Sequence, residues 1–540
     1  MYGRVYASTL QRASSYMLTC SSTVPFQTAH RCRLSSRGSS SPERNGCSAV
    51  DSLRGSLSVR QFTTHQDLDF QQSRMQINST LRSNEQTVDV PEFDGRVLSA
   101  VRKFDTNQLA ANTPNEDRRS AATCLQSKGM LFGVFDGHGG WACAQAVSER
   151  LLYYIAVAMM PKHSLEELEK CMEQGRPVPP ILQWYKHHTD RNYRDSASLY
   201  IDHLRVFWQE LLDNCAFKRL DADISLEAQV PLSNDLMRST AVQVAFAGCT
   251  ACVAHVGTDG IHVANTGDCR AVLGVQREDG SWEALPLSLD HNTQNQAEID
   301  RIIAQHPPSE RDTVLTDDRL LGVSFCFSCS VKTLTLPNEP RFESFSYRQV
   351  LMPLRAFGDV RFKWSLELQQ SILASLESGV DLDSLNLYQY TPPNYLTPPY
   401  LEVTPEITYH KLRPQDRFLI LGSDGLWDEL SSEEAVRLVG EHLSGIHLQA
   451  PVSASERQLK LGQMHELLLE RRARASPALD TNAATHLIRH ALGTGEYGEL
   501  SQERLASMLA LPEDLARMYR DDITATVVLL NSDLARSRHR

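Results

Sequence analysis

The sequence predicts one large domain of mixed α and β structure, and three observations support this prediction. From Val97 onward, short apolar runs typical of strands alternate with longer stretches typical of helices, and no segment repeats. No clear linker divides this part of the 540-residue chain. The composition, 41% hydrophobic and 22% charged, is ordinary for a globular protein with a sizeable core. We therefore expect one domain with surface elaborations rather than three small ones.

Apolar runs and the glycines that end them predict the elements in the first half of the domain. Met130–Phe135 predicts a buried strand that ends at Asp136-Gly137, and Trp141–Met160 predicts a long buried helix. The Val- and Ala-rich runs Val242–Val256 and Ile261–Leu273 predict two strands of a hairpin, because the Gly-Thr-Asp-Gly sequence between them is a turn signal.

The second half of the domain ends in a strand–helix unit and a final strand. Arg417–Gly422 predicts a buried strand that is followed directly by a polar turn. Ser431 and Glu434 have the spacing of a capping box, so a helix should begin there and continue through Val439. Composition alone predicts a loop over 388–401, helices within 456–518 and a last strand over 523–530.

The first 42 residues differ in composition from the rest of the chain. They contain five arginines and ten serines but no Asp or Glu, which is the composition of a mitochondrial transit peptide. An ordinary disordered tail is the alternative, and a secretory signal is disfavoured because no long apolar region follows the first arginine. We expect a transit peptide over 1–66, a lead-in over 67–100, the domain over 101–531 and a tail over 532–540.

Charge and cysteine usage exclude several classes of protein. Lys and Arg total 54 against 66 Asp and Glu, so the net charge is −12, which disfavours binding to nucleic acids or anionic membranes. The 12 cysteines are scattered over a long chain, unlike those of a secreted disulfide scaffold. No apolar run is long enough for a transmembrane helix, since Gln243 and His255 interrupt the longest candidate, Ala241–Gly257. These observations predict a soluble protein of a reducing compartment.

Three aspartates stand next to predicted strands and are candidates for one metal site. Asp136 and Asp424 follow strands and precede glycine, and Asp521 comes just before the last strand. Strand ends can converge, and carboxylates ~4 Å apart repel by ~4 kcal/mol at an effective dielectric near 20 unless a cation lies between them. Carboxylate and carbonyl oxygens favour Mg²⁺ or Mn²⁺ over zinc.

Six short motifs occur in a fixed order and together resemble one enzyme family. They are Asn115-Glu116-Asp117-Arg118, Phe135–Gly140, Gly267-Asp268, Arg355–Asp359, Ser423–Asp428 and Asp521–Thr524. This series closely resembles the metal-dependent Ser/Thr phosphatases of the protein phosphatase 2C family, from about Leu109 to Leu530. The resemblance implies an α+β fold, a central antiparallel β-sandwich flanked by α-helices, in a single large catalytic domain. It also implies a hydrolase in which a hydroxide bridging two Mg²⁺ or Mn²⁺ ions attacks the phosphorus.

The resemblance gives each candidate site residue a role. Asp136 corresponds to the catalytic carboxylate that bridges both metal ions, and His138 to the general acid that protonates the departing Ser/Thr oxygen. Asn112 is the phosphate-binding candidate, at a position where the broad family carries an arginine. An amide carries no charge and cannot form the bidentate, charge-assisted hydrogen bonds of a guanidinium, so small phosphate esters should bind poorly. The other metal candidates are Gly137 through its carbonyl, Asp424, Asp521, Glu116, Asp117 and, as a weaker third position, Asp290.

Longer segments narrow the resemblance to one branch of the family. Glu116–Gln126, Arg355–Trp364 and Leu515–Thr524 look like the mitochondrial pyruvate dehydrogenase phosphatases. Leu289–Ile299 and Thr481–Gly493 lean towards the second isoform of that branch. This likeness implies that phosphorylated pyruvate dehydrogenase is the substrate and that the enzyme works in the mitochondrial matrix. It also implies contact with the lipoyl-bearing core of the complex and pairing with a regulatory subunit.

Two stretches of the chain differ from the related sequences, so alternative functions remain open. Residues 324–350 form an atypical insert, and the chain is shortened where Asp213 meets Phe217; both fit a splice or gene-model error. The alternatives are a catalytically impaired phosphatase-like scaffold or a phosphatase of other matrix phosphoproteins. A nuclease is disfavoured by the net charge. A zinc site at Cys249 and Cys252 with Cys326 and Cys329 is disfavoured, because strand residues three apart face opposite sides.

Overall fold

The computed structural model describes residues 74–90, 99–186, 215–230, 235–310, 315–316, 319–320, 353–376, 395–444, 480–495 and 500–531. The predicted transit peptide, the C-terminal tail and the 324–350 insert lie outside these residues, as do Asp213 and residues 456–479 of the predicted helical region.

Two antiparallel sheets form the centre of the domain. The strands are β1 Gln86–Asp89, β2 Val101–Leu109, β3 Arg118–Cys124, β4 Met130–His138, β5 Leu182–Trp184, β6 Gly248–Val256, β7 Gly260–Thr266, β8 Arg270–Gln276, β9 Trp282–Pro286, β10 Leu315–Thr316, β11 Arg319–Leu320, β12 Phe357–Gly358, β13 Glu406–Lys411, β14 Asp416–Gly422 and β15 Ile523–Leu530. One sheet has the order β1-β2-β15-β14-β8-β9, and the other has the order β13-β7-β6-β4-β3-β5 with β12 beside β6; β10 and β11 form a separate two-stranded sheet. The predicted α+β class with a central antiparallel sandwich is confirmed.

Helices cover both outer faces of the sandwich. They are α1 Arg74–Arg82, α2 Ala142–Ala158, α3 Lys162–Glu173, α4 Ala216–Gln229, α5 Asp235–Phe246, α6 Gln296–Gln305, α7 Leu366–Ala374, α8 Asp424–Trp427, α9 Ser432–Leu443, α10 Ala483–Gly493, α11 Gln502–Leu509 and α12 Glu513–Tyr519, with short 3₁₀ turns at Pro308–Glu310 and Val360–Phe362. Helices α2, α4 and α5 pack on the sheet that contains β4, and α1, α9, α10 and α11 pack on the sheet that contains β14.

Three apolar layers follow from the alternation of side chains along the strands. The layer between the sheets includes Phe104 of β2 and Phe132 of β4, whose rings meet edge to face with centroids 5.2 Å apart. Along β6, Cys249 packs under the helices, whereas Cys252 packs between the sheets. The two thiols therefore face opposite sides, as predicted, and cannot ligate one zinc ion together.

The prediction for the region 242–273 was partly wrong. Residues 242–246 belong to α5, because their Ala- and Val-rich composition suits a buried helix as well as a strand. The run 261–273 is two strands, β7 and β8, which lie in different sheets. Gly267 makes the break with a φ of +101°, a conformation that other residues rarely adopt, and it lies against the Thr250 side chain. This crossing carries Asp268 to the end of the sandwich.

Two predicted helix starts are confirmed. Ser431 precedes α9, and its hydroxyl accepts a hydrogen bond from the Glu434 backbone N–H at 3.1 Å. Helix α2 begins shortly after His138, the last residue of β4, as its apolar composition predicted. The strand does not end at Asp136-Gly137 as predicted, because both residues and His138 continue the pairing with β6. Within the described part of the chain, no helix has both the length and the apolar character needed to cross a membrane.

Candidate metal centre and acid–base pair

Three carboxylates from three different elements meet at one end of the sandwich. Asp136 lies near the end of β4, Asp268 in the crossing between β7 and β8, and Asp424 at the start of α8 directly after β14. One oxygen of each lies within 4.8 Å of the others. Both sheets thus contribute to one cluster, because the ends of β4 and β14 point to the same edge. In the sequence, Asp268 belongs to the Gly267-Asp268 motif, which indicated no role for this residue.

The electrostatics of this cluster are unfavourable without a counter-charge. Removal from water raises the pKa of Asp136 well above its usual range, and the carboxylates of Asp424 and Asp117 raise it further. Burial, followed by the charge of Asp424, likewise raises the pKa of Asp268. The Oδ1 atoms of Asp117 and Asp424 are buried and have no hydrogen-bond partner in the described structure. Oxygens of this kind fit a hard divalent cation.

Glu116 and Asp117 stand beside the cluster just before β3. The Oδ2 atom of Asp117 accepts hydrogen bonds from the hydroxyls of Ser423 and Thr524, each at 2.7 Å. Both hydroxyls belong to the ends of strands that also position the aspartates. Burial and the charge of Asp522 raise the pKa of Glu116 and, more strongly, the pKa of Asp117.

The consecutive residues Asp521 and Asp522 have different surroundings. Asp521 keeps 24% of its side chain exposed and pairs with Arg517. Asp522 is buried and accepts hydrogen bonds from the backbone N–H groups of Asn112 and Glu116, each at 2.8 Å. Asp522 therefore fixes the segment that presents Glu116 and Asp117, a role that the sequence analysis did not assign.

Two predicted site residues are held by other protein groups. The Asn112 side-chain amide donates to Asp522 at 3.0 Å. Both carboxylate oxygens of Asp290 accept from Arg270, at 3.0 and 2.6 Å. The resemblance predicted Asp290 as a weaker third metal position, but among the described residues the carboxylate that joins Asp136 and Asp424 is Asp268.

His138 forms an acid–base pair with a buried aspartate. Its Nε2 lies 2.6 Å from Oδ2 of Asp359, whose backbone has the left-handed φ of 48° that non-glycine residues seldom adopt. Burial alone would raise the pKa of Asp359, but His138 together with Arg361 and Lys363 outweighs it, and the pKa lies below its usual value. The ionised carboxylate fixes the ring through Nε2. The Gly358-Asp359 motif could have indicated this residue, but no spacing in the sequence connects it with His138.

A glycine leaves room for this pair. A methyl group on Gly248, at the start of β6, would overlap Nε2 of His138 and Oδ2 of Asp359. We expect Gly248→Ala to separate the pair and to lower the rate of a reaction that uses His138 by ~10²-fold, since displacement of reacting groups by about 1 Å has effects of this size. Steady-state kinetics would measure the loss.

Gly257→Ala, just beyond the other end of β6, is the matched control, because its nearest contact would be a more tolerable 3.3 Å from the His255 ring. Equal activity in the two variants would contradict the proposed importance of the pair.

Comparison with known proteins assigns the class that this fold and site define. The sequence pattern of the family described as Protein phosphatase 2C matches residues 183–464, more than half of the chain. A protein phosphatase 2C homologue of Schizosaccharomyces pombe is 30% identical over 462 residues, which cover 84% of this chain and 85% of that protein. The chain therefore belongs to the protein phosphatase 2C family, and it is a protein phosphatase, a hydrolase.

Higher similarity confirms the branch that the sequence motifs indicated. The chain is 52% identical over 484 residues to the mitochondrial pyruvate dehydrogenase (acetyl-transferring) phosphatase 2 of Homo sapiens, covering 87% of this chain and 86% of that protein. It is 53% identical over 474 residues to the corresponding phosphatase 1 of Bos taurus, covering 85% and 82%. These identities do not separate the two isoforms, so the lean towards the second stays a prediction.

Proposed function

We propose that this chain is a cation-dependent serine/threonine phosphatase that dephosphorylates, and so reactivates, pyruvate dehydrogenase. The observation that carries the proposal is the group of three carboxylates, Asp136, Asp268 and Asp424, with oxygens within 4.8 Å of one another. The substrate follows from the relatives, which are called pyruvate dehydrogenase phosphatases.

Two Mg²⁺ or Mn²⁺ ions are the proposed cofactors. The residues that would hold them are Asp136, Gly137 through its carbonyl, Asp424, Asp521, Glu116, Asp117 and Asp268. When bound, such ions lower the pKa of water from ~15.7 towards ~7, which supplies a nucleophile for phosphorus, and they neutralise the phosphoryl oxygens. The donor set is oxygen only, which favours these hard cations over zinc.

His138 is the proposed general acid. Asp359 holds Nε2 of the ring at 2.6 Å, so Nδ1 is the nitrogen that remains to donate a proton to the departing serine or threonine oxygen. The structure keeps 23% of the His138 side chain exposed, so a protein substrate can reach it.

Location and partners extend the proposal. The relatives are called mitochondrial, and the Arg-rich, acid-free N-terminus has the composition of a transit peptide. Both observations support the mitochondrial matrix as the site of action. The resemblance also favours contact with the lipoyl-bearing core of the complex and with a regulatory subunit.

The substrate is tested by comparing two phosphoproteins. The full chain should release phosphate from phosphorylated pyruvate dehydrogenase in Mg²⁺, and release should stop in EDTA. Phosphorylated casein serves as the comparison. Turnover of casein alone would leave the phosphatase class intact and contradict the proposed substrate.

The cation dependence also predicts how stability changes with pH. The pKa values of Asp136, Asp117 and Asp268 are raised, mainly by burial, so the cation-free folded chain holds protons that the unfolded chain releases. Their stabilising contribution is present below the unfolded pKa of about 4 and is lost as pH rises through the raised pKa values.

Bound Mg²⁺ compensates the negative charges of the ionised carboxylates, so the increase in Tm on adding Mg²⁺ should be larger at about pH 8 than at about pH 5. Thermal unfolding in EDTA and in Mg²⁺ at both pH values measures it. An equal increase at the two pH values would count against the carboxylate cluster as the cation site.

A further inference from the structure

An ion pair closes the short segment that runs from β12 through the 3₁₀ turn at Val360–Phe362. Nζ of Lys363 donates to both carboxylate oxygens of Asp221 in α4 and to the carbonyl of Ala356, each at 2.8 Å. Oδ1 of Asp221 also accepts a hydrogen bond from the backbone N–H of Gly358 at 2.9 Å. The three donors of the ammonium group therefore all have protein partners, and the Asp221–Lys363 pair joins α4 to both ends of the segment.

The closed segment contains Asp359, whose backbone conformation is unfavourable for an aspartate. Its φ is 48° and its ψ is 39°, in the left-handed region. A residue other than glycine keeps such a conformation only where the surrounding structure holds it. The Asp221–Lys363 pair supplies two of the bonds that do so, one to Gly358 directly before Asp359 and one to Lys363 four residues after it.

The conformation of this backbone decides where the Asp359 carboxylate lies. The side chain of Asp359 is fully buried, and its Oδ2 lies 2.6 Å from Nε2 of His138. Because side-chain direction follows the backbone dihedrals, relaxation of Asp359 to a common conformation would turn its carboxylate away from the ring. Helix α4 thus acts on the acid–base pair although it contributes no residue to it.

We propose that Asp221 and Lys363 are positioning residues, which hold Asp359 in its left-handed conformation and thereby orient His138 for proton donation. This inference rests on the proposed function and adds to it the groups that align the general acid. The simpler interpretation is an ion pair that only ties α4 to β12 and matters for stability alone. The two interpretations differ in whether the effect of losing the pair depends on the leaving group.

The leaving group supplies the kinetic test, carried out on the Mg²⁺-loaded full chain. Asp221→Asn keeps the size of the side chain but removes the charge that binds Lys363. We expect kcat on a phosphoserine protein to fall by roughly tenfold to a hundredfold, the effect of a misplaced rather than a missing general acid. An aryl oxide leaves without a proton, so kcat on p-nitrophenyl phosphate should change by less than about threefold.

The matched control is Glu227→Gln in the same helix. Glu227 is 17% exposed, against 16% for Asp221, and it accepts two hydrogen bonds from Arg150 of α2, at 2.6 and 2.9 Å. Its loss should lower Tm in the same way and leave the ratio of the two kcat values unchanged.

A second pair of variants separates positioning from stability. Lys363→Arg keeps the positive charge and should preserve more of the phosphoserine rate than Lys363→Met. The double variant Asp221→Asn with Lys363→Met leaves no buried charge without a partner, so its Tm should be higher than that of Lys363→Met alone. Its ratio of phosphoserine to aryl phosphate kcat should nevertheless stay low.

Crystal structures of the unaltered chain and of Asp221→Asn give a readout that needs no turnover. The proposal predicts that the contact between His138 and Asp359 lengthens beyond hydrogen-bonding distance in the variant. Equal losses on the two substrates, or an unchanged contact with a lower Tm as the only effect, would overturn it. If the unaltered chain released phosphate from neither substrate, the proposed function would fail, and the crystal structures would still decide whether Asp221 and Lys363 position the pair.

Discussion

Asp136→Asn should reduce Mg²⁺-dependent phosphate release by about three orders of magnitude while the domain stays folded. The substitution keeps the shape of the side chain and removes one negative charge from the centre of the cluster. The interaction of that charge with one unit of positive charge ~4 Å away is worth ~4 kcal/mol at an effective dielectric near 20, or about 10³ in rate. Phosphate release at saturating Mg²⁺ measures the effect.

The same substitution should stabilise the cation-free protein. Burial and then the charges of Asp424 and Asp117 raise the pKa of Asp136, so loss of its charge relieves the cluster. We expect a higher Tm in EDTA for Asp136→Asn than for the unaltered chain, and a smaller gain on adding Mg²⁺. Asp279→Asn, in an exposed turn, is the control and should change neither quantity. Retained activity together with an unchanged Tm would show that Asp136 is not a cation ligand.

His138→Asn should lower the rate on a phosphoserine protein by ~10²–10⁴-fold, the usual contribution of a general acid. A serine oxygen is a poor leaving group and needs a proton, whereas an aryl oxide leaves without one. The loss should therefore be much smaller with an aryl phosphate such as p-nitrophenyl phosphate. The ratio of kcat values on the two substrates is the measurement.

Asp359→Asn separates positioning from proton donation. Asp359 touches His138 at 2.6 Å, so its loss should reduce the phosphoserine rate less than loss of the histidine itself. His163→Gln, on the exposed side of α3, is the control and should leave both rates unchanged. Equal losses on phosphoserine protein and aryl phosphate in the His138 variant would indicate a structural role for the ring.

The apolar runs were sufficient to predict mixed α and β structure and the aspartates near strand ends, whereas the antiparallel sandwich was predicted from the family resemblance. Asp136 and Asp424 follow short apolar runs that predict buried strands, and strand ends in a two-sheet protein converge at a few places. The start of α9 was predictable because its capping residues, Ser431 and Glu434, lie close together in the sequence at the first turn of the helix. Local patterns of this kind need no tertiary information.

Asp268 was missed because its position depends on a crossing between the sheets. The run that contains it reads as one continuous strand, and only the left-handed conformation of Gly267 divides it into β7 and β8. Composition could not reveal that the two halves join different sheets. The different surroundings of Asp521 and Asp522 could not be predicted either, because they depend on which of the two carboxylates accepts hydrogen bonds from Asn112.

Asp359 illustrates a further limit of sequence reasoning. Its partner His138 is 221 residues away along the chain, and the pair forms only because β12 lies beside β6. No periodicity or spacing links these two residues. Gly248, which leaves space for the pair, reads in the sequence as an ordinary strand-end glycine.

The most direct test of the central claim is phosphate release from phosphorylated pyruvate dehydrogenase as a function of free Mg²⁺, after the full chain has been stripped with EDTA. The cluster of Asp136, Asp268 and Asp424 predicts no release in the stripped protein, recovery that saturates with Mg²⁺ or Mn²⁺, and no recovery in Asp136→Asn. Release that persists at full rate in EDTA, or recovery in Asp136→Asn equal to that of the unaltered chain, would contradict the account.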